Sequence, residues 1–220
     1  MGTLKNYIQL LHNSSKRNYK KRMMENKVSC MIIAKKYGSK YWDGNRKFGY
    51  GGYKYIPGRW ETVAKKLIKD YRLDNNSKIL DLGCGKGYLL FEIKKILPKI
   101  IFIGLDYSKY AILNSHPEVK KNIKFHDCKN RLKYKNNHFD LVISTGVLHN
   151  LRLHDLNLCL NEISRVGKKN YIMVESFRND LELFNLQCWA LTCEIFFDNK
   201  TWIRMIKKFK NIDYEFIYFK

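Results

Sequence analysis

The spacing of apolar positions changes several times along the chain, and each change marks an element. Between residues 15 and 37 there is no Pro or Gly, and Met23, Met24, Val28, Met31, Ile32 and Ile33 recur at mostly helical intervals. This stretch predicts one basic helix that covers part of the main domain. Residues 60–73 place Val63, Ala64, Leu67, Ile68 and Tyr71 on one helical face. Continuous apolar runs then alternate with helical patterns. Residues 78–82, 100–106, 122–127, 139–144 and 171–175 read as buried strands. Helices are expected over 86–96, from an N-cap at Ser108 to Leu113, and over 151–166. Residues 180–208 read as mostly helical with a break near Asp198–Asn199, and 212–219 as a terminal strand or hairpin. Strands alternating with helices predict a sheet with helices on both faces. Right-handed crossovers put a ligand at the carboxyl ends of such strands. Asp81, Asp106, Asp127, Ser144 and Glu175 all fall at or just beyond those ends, and so are expected on one rim.

Residues 38–60 fit neither period. Glycines and aromatics alternate there, with Tyr41, Trp42, Tyr50, Tyr53, Tyr55 and Trp60 as the large rings. A loop of this length is usually functional or disordered, and its aromatic load argues against disorder. It is expected to close over the rim, with Asp43, Arg46 and Arg59 as polar fixtures. Residues 1–59 thus form an expected cap, and residues 60–220 one compact domain.

Charge adds less than its size implies. The 220 residues carry 42 Lys and Arg against 20 Asp and Glu, a net +22. Such a balance attracts anionic partners. The lysines are spread over every segment, however, which fits a lysine- and asparagine-rich composition as well as a binding surface. Only Lys16–Arg22 is a local basic cluster. The six cysteines contain no Cys-x-x-Cys pair, so no structural metal is expected, and their apolar settings fit reduced, buried thiols. No apolar run approaches the ~20 residues that span a bilayer. The first residues lack a secretory core and a myristoylation signal. A cytoplasmic protein is the expectation.

The most informative stretch is Asp81-Leu82-Gly83-Cys84-Gly85-Lys86-Gly87. It follows a buried strand and precedes a helix, and its glycines let a ligand lie against bare backbone. It resembles the first motif, Asp-x-Gly-x-Gly-x-Gly, of the class I S-adenosylmethionine (SAM)-dependent methyltransferases, and matches without a gap. The dinucleotide fingerprint Gly-x-Gly-x-x-Gly is not met, because position 88 is Tyr88. The resemblance implies a Rossmann-like, mostly parallel seven-stranded sheet and SAM as cofactor. It runs through ordered motifs over about residues 60–175, with Leu148-His149 after the fourth strand like many small-molecule methyltransferases.

Expected cofactor contacts are Asp81, Gly83, Cys84, Gly85 and Gly87 in the turn, and Asp106 with its neighbour Tyr107. A carboxylate at the second strand's end suits ribose hydroxyls. By resemblance, Asp127 and Cys128 lie near the adenine, and Ser144 and Thr145 near the methionine part. If the acceptor is a hydroxyl or ammonium, a base must take its proton; His149 is the expected base and Glu175 a second one. Tyr53 or Tyr55 is expected to face the sulfonium through a cation–π contact. Arg178, with Arg46 or Arg59, is expected to hold a carboxylate or phosphate on the acceptor. The expected reaction is O- or N-methylation of a small-molecule or glycan-type acceptor. Two alternatives stay open: methylation of RNA or another anionic macromolecule, and a non-catalytic SAM-binding partner subunit. Enzymes that methylate nucleic-acid amino groups usually carry Asn/Asp-Pro-Pro-aromatic after the fourth strand. This chain has Ser144-Thr145-Gly146-Val147 there.

Overall fold

A computed structural model describes residues 2–220. Six strands lie in the order β3-β2-β1-β4-β5-β6: β1 Lys78–Leu82, β2 Ile101–Asp106, β3 Ile123–Phe125, β4 Phe139–Thr145, β5 Gly167–Glu175 and β6 Ile212–Ile217. Every pairing is parallel. The α/β class and Rossmann-like sheet agree with the expectation. The strand count does not: six strands are present among the described residues, not seven. Residues near the N-terminus pair briefly with β6. Leu4 bridges Tyr214 in parallel, with Lys5 N donating to Tyr214 O (2.8 Å) and Tyr214 N to Thr3 O (3.1 Å). This partly covers the outer edge of β6, which would otherwise expose unpaired backbone.

The helices are α1 Gln9–Asn13, α2 Tyr19–Met24, α3 Lys27–Ala34, α4 Ser39–Trp42, α5 Glu61–Tyr71, α6 Tyr88–Ile96, α7 Lys109–Leu113, α8 Pro117–Lys120, α9 Leu153–Val166, α10 Asp180–Trp189 and α11 Asn199–Ile206. Alternate strand residues feed two cores, as a parallel sheet buried on both faces requires. Ile79, Leu141, Ile143 and Tyr171 pack with Val63, Ala64 and Leu67 of α5, Leu90 and Ile93 of α6 and Leu186 of α10. Leu80, Leu82, Val142, Ile172 and Val174 pack on the other face with Leu156, Leu160 and Ile163 of α9 and with Trp202 and Ile206 of α11. Tyr7 and Ile8 belong to the first core.

Local chemistry explains where the elements break. The single helix expected over 15–37 is two, because Asn26 takes a left-handed conformation (φ 44°) and its side chain caps α3. Ser108 caps α7 as expected, accepting from Ala111 N at 3.0 Å. The 180–208 stretch is interrupted from Ala190 to Asp198, wider than the break expected, before Asp198 caps α11. One cap comes from across the molecule. Glu215 of β6 is 1% exposed and accepts from the backbone N–H groups of Tyr7, Ile8 and Gln9 at 2.7–2.8 Å, and from the Tyr171 hydroxyl at 2.6 Å. These bonds satisfy orphan donors at the start of α1. They anchor the N-terminal segment before it passes over the carboxyl ends of the strands.

Candidate active site

A cavity of ≈ 450 Å³ lies between those strand ends and the N-terminal segment. Its lining contains Asp81, Gly83, Cys84, Gly85, Thr145, His149, Glu175, Tyr53 and Arg59 from the expected set. Gly87, Asp106, Tyr107, Asp127, Cys128, Ser144, Tyr55 and Arg178 are not among its lining residues.

The glycine turn owes its shape to Asp106. One oxygen accepts from Gly85 N (2.7 Å) and the other from Ser108 N (2.8 Å). Asp106 is only 9% exposed, and burial raises its pKa against the opposing effect of these bonds. A third backbone donor, Tyr107 N–H, also favours its charged form. Gly83, Gly85 and Gly87 all have positive φ (84°, 55° and 75°). A Cβ on Gly87 would come within 2.6 Å of Ile123 Cδ1, so this glycine serves helix–sheet packing rather than the cavity. Ser144 is fully buried and its hydroxyl donates to Leu82 O (2.9 Å), tying β4 to β1. Asp127 caps its own turn through Lys129 N (3.0 Å). Tyr107 is exposed, with its ring near Phe125 and Tyr37. Cys128 packs at the margin of the second core.

Asp81 differs from these. It is 2% exposed, and its Oδ1 is buried with no hydrogen-bond partner. Burial, and then the charge of Asp106, pushes its carboxyl up to about 8. An acceptor held without a partner at a cavity wall suits a ligand that brings a donor or a cation. SAM carries an ammonium on its methionine part, so the residues present fit this cofactor. Asp81 and the Gly83–Gly85 backbone would hold it, with Asp106 bracing the turn.

His149 and Glu175 form a pair. His149 is 3% exposed; its Nδ1 accepts from Glu175 N (3.2 Å), and its Nε2 lies 3.5 Å from Glu175 Oε2. Burial lowers its pKa, although Glu175 opposes this. The imidazole is therefore neutral near pH 7. With Nδ1 accepting, its one proton is on Nε2, facing the carboxylate. The carbonyl of His149 accepts from Glu194 N (2.9 Å) and Ile195 N (3.1 Å), which fixes the turn after β4.

The aromatic loop closes the cavity. Trp42 is 6% exposed, and its indole N–H donates to Ser108 Oγ (2.9 Å) and Tyr37 O (3.1 Å). A Cβ on Gly85 would lie 2.9 Å from its ring, so only glycine admits this contact. Tyr50 stacks on Trp42 at 5.1 Å and Tyr53 on Tyr88 at 5.2 Å. Lys86 latches the loop: 4% exposed, it donates to both oxygens of Asp43 and to Tyr53 O, each at 2.8 Å. Sequence reading gave Lys86 no role, although its place between two motif glycines was visible. Tyr55 instead bonds Glu92 (2.6 Å) on α6. Arg178 is held by Glu182, with Nε 3.1 and 3.2 Å from its oxygens. Arg17, Arg22 and Trp189 also line the cavity. The only sequence signal for the two arginines was the basic cluster at 16–22, and Trp189 had none.

Comparison with known proteins agrees with this geometry. A ubiquinone biosynthesis O-methyltransferase from Pelagibacter ubique is 30% identical over 155 residues, 63% of this chain and 59% of that protein. A ribosomal RNA small subunit methyltransferase C from Buchnera aphidicola is 30% identical over 120 residues, 51% of this chain and 33% of its own. The chain thus spans less than two thirds of these curated relatives. The YcgJ protein of Bacillus subtilis shares the fold, with a TM-score of 0.53, 18% identity and 66% of each chain covered. No helix of the described residues is long and apolar enough to cross a membrane. Residues 73–218 match the family described as a methyltransferase domain, and the chain belongs to this family of SAM-dependent class I methyltransferases.

Proposed function

We propose that the protein methylates an oxygen or nitrogen of a small-molecule or glycan-type acceptor. Residues 60–220 act as the cofactor-binding domain and residues 1–59 as a cap that shuts the acceptor in. The observation that carries this reading is the His149–Glu175 pair, which shares one cavity with Asp81 and the glycine turn. When bound, SAM would donate the electrophilic methyl on its sulfonium centre to the acceptor's lone pair, the carbon–sulfur electron pair staying with sulfur. Asp81 and the turn would hold the cofactor's methionine part, with Trp42 and Tyr53 walling the same cavity. Glu175 takes the proton that the acceptor loses. His149 is the positioning partner, because its Nδ1 is already engaged by Glu175 N and its Nε2 lies 3.5 Å from Glu175 Oε2. This ordering reverses the roles expected from sequence, where His149 was the first base.

The relative named for ubiquinone biosynthesis supports a small acceptor. RNA is the second reading, favoured by the +22 charge and the relative named for ribosomal RNA. The test is methyl-labelled SAM incubated with fractionated cell extract, with the label followed into low-mass products or RNA. Glu175→Gln should lower turnover by about 10²–10⁴, the usual weight of a general base, while calorimetry shows SAM still bound. Label in RNA, or full turnover by Glu175→Gln, would overturn the reading.

A further inference from the structure

Three arginines surround one indole in the same cavity. The guanidinium carbons of Arg22, Arg46 and Arg17 lie 4.4, 5.0 and 5.5 Å from the Trp189 ring centre. Arg22 and Arg17 come from the basic cluster around α2, Arg46 from the aromatic loop, and Trp189 from the end of α10. All four residues line the cavity. Among the described residues none of the three arginines makes an ion pair. Their bonds go mainly to uncharged carbonyls: Arg22 to Lys47 O (2.8 Å), Arg46 to Gly49 O (2.7 Å) and Tyr50 O (3.1 Å), Arg17 to His12 O and Ser15 O (3.1 Å each). Arg17 also contacts His12 Nδ1 (3.2 Å). Arg17 Nε is buried with no partner, and Arg22 is only 5% exposed.

Such an arrangement is costly without an anion. Burial, reinforced by the charge of Arg46, draws Arg17 and Arg22 below the usual arginine range. The π face of Trp189 offsets part of that repulsion and fixes the guanidinium orientations. His12 adds no charge, because burial and Arg17 hold its pKa down at about 4. Three fixed cations match a multiply charged oxyanion better than a single carboxylate. Their convergence on a single indole, within about 5.5 Å of its centre, gives a compact site on the scale of one phosphate group rather than an extended track along a nucleic-acid backbone. Glu175 is close enough for its charge to act on Arg17, whereas the charge felt by Asp81 comes from Asp106. Glu175 and the three arginines line the same cavity, so an acceptor held by the arginines shares it with the proposed base.

We propose that Arg17, Arg22 and Arg46 around Trp189 form the site for a phosphate group of a small methyl acceptor. This rests on the methyltransferase reading and names its substrate class: a phosphorylated small molecule whose nucleophile then faces Glu175.

The test is calorimetry of the full chain with inorganic phosphate and with pyrophosphate, and separately with SAM. Wild type should bind pyrophosphate more tightly than phosphate. Arg46→Gln and Arg17→Gln should each weaken pyrophosphate at least about tenfold, the scale of one lost charge-assisted bond, without weakening SAM. Arg22→Lys, which keeps the charge but loses the planar fork, should also weaken it. Lys99→Gln removes an exposed charge outside the cavity lining and should change nothing. Circular dichroism melts identify any variant that fails to fold. The proposal is overturned if folded, SAM-binding wild type takes up neither anion, or if Lys99→Gln weakens pyrophosphate as much as the cavity variants do. It is equally overturned if a single-stranded RNA displaces pyrophosphate with a steep salt slope, or if only phosphatidate vesicles bind. Should wild type bind pyrophosphate but not SAM, the methyltransferase reading fails and the anion site stands.

Discussion

Asp81 faces the cavity with one oxygen unpaired and its carboxyl raised to about 8. Its folded pKa lies above the ordinary aspartate value of 3.8, so the folded chain holds this proton more tightly than the unfolded chain. Stability from this group is full below pH 3.8 and lost as pH rises toward 8. A ligand ammonium reverses the balance by stabilising the carboxylate. SAM binding at pH 6–7 should therefore release up to about one proton, and affinity should rise by up to tenfold per pH unit until Asp81 is ionised in the free protein. Calorimetry in buffers of different ionisation heat measures the proton directly. Asp81→Asn should bind more weakly and without the release. Proton release that survives in Asp81→Asn would assign it elsewhere. Asp81 was legible in the sequence because a strand, an acid and three glycines are local signals. Its orphaned oxygen was not, since that depends on what packs around the strand end.

At the scale of elements, the cavity is made by a loop tied down at a few points. Lys86 sits in the turn between β1 and α6, yet its ammonium is shared by Asp43 and Tyr53 of the aromatic loop. Lys86→Met removes these charge-assisted bonds and leaves Asp43 without its cation. The loss should be about 1.5–3 kcal/mol, felt mainly by the loop rather than the sheet. Hydrogen exchange of residues 38–60 should accelerate while β1 and β4 stay protected, and SAM should bind more weakly. Unchanged exchange in the loop would mean that Trp42 and its bonds to Ser108 and Tyr37 hold it alone. The sequence marked 38–60 as a functional loop through its aromatic load. It did not mark the latch, because Asp43 and Lys86 meet only after the chain has folded across the strand ends. The same limit applies to Glu215, whose carboxylate caps a helix more than 200 residues earlier, and to residues 3–5, which pair with the expected terminal strand at Tyr214.

Over the whole molecule, the alternation of strands and helices was enough to give the class of fold, since buried parallel strands read as continuous apolar runs. The meaning of the charge was not readable, because composition does not say which cations meet. The structure divides them. Most lysines are exposed, while Arg17, Arg22 and Arg46 converge on one ring with no ion pair among the described residues. With 42 basic and 20 acidic side chains, repulsion should outweigh the scattered surface pairs, which contribute little individually. The protein should therefore melt at a higher temperature as sodium chloride is raised from about 20 to 300 mM, over which the screening length falls from roughly 20 to 6 Å. Sodium phosphate at matched ionic strength should raise the midpoint further, because an anion bound to the native state adds to general screening. Arg46→Gln should remove that extra increment and keep the chloride effect. A midpoint that falls with chloride would show that attractive ion pairs dominate the surface. Equal effects of phosphate and chloride would leave the three arginines as general charge rather than a site.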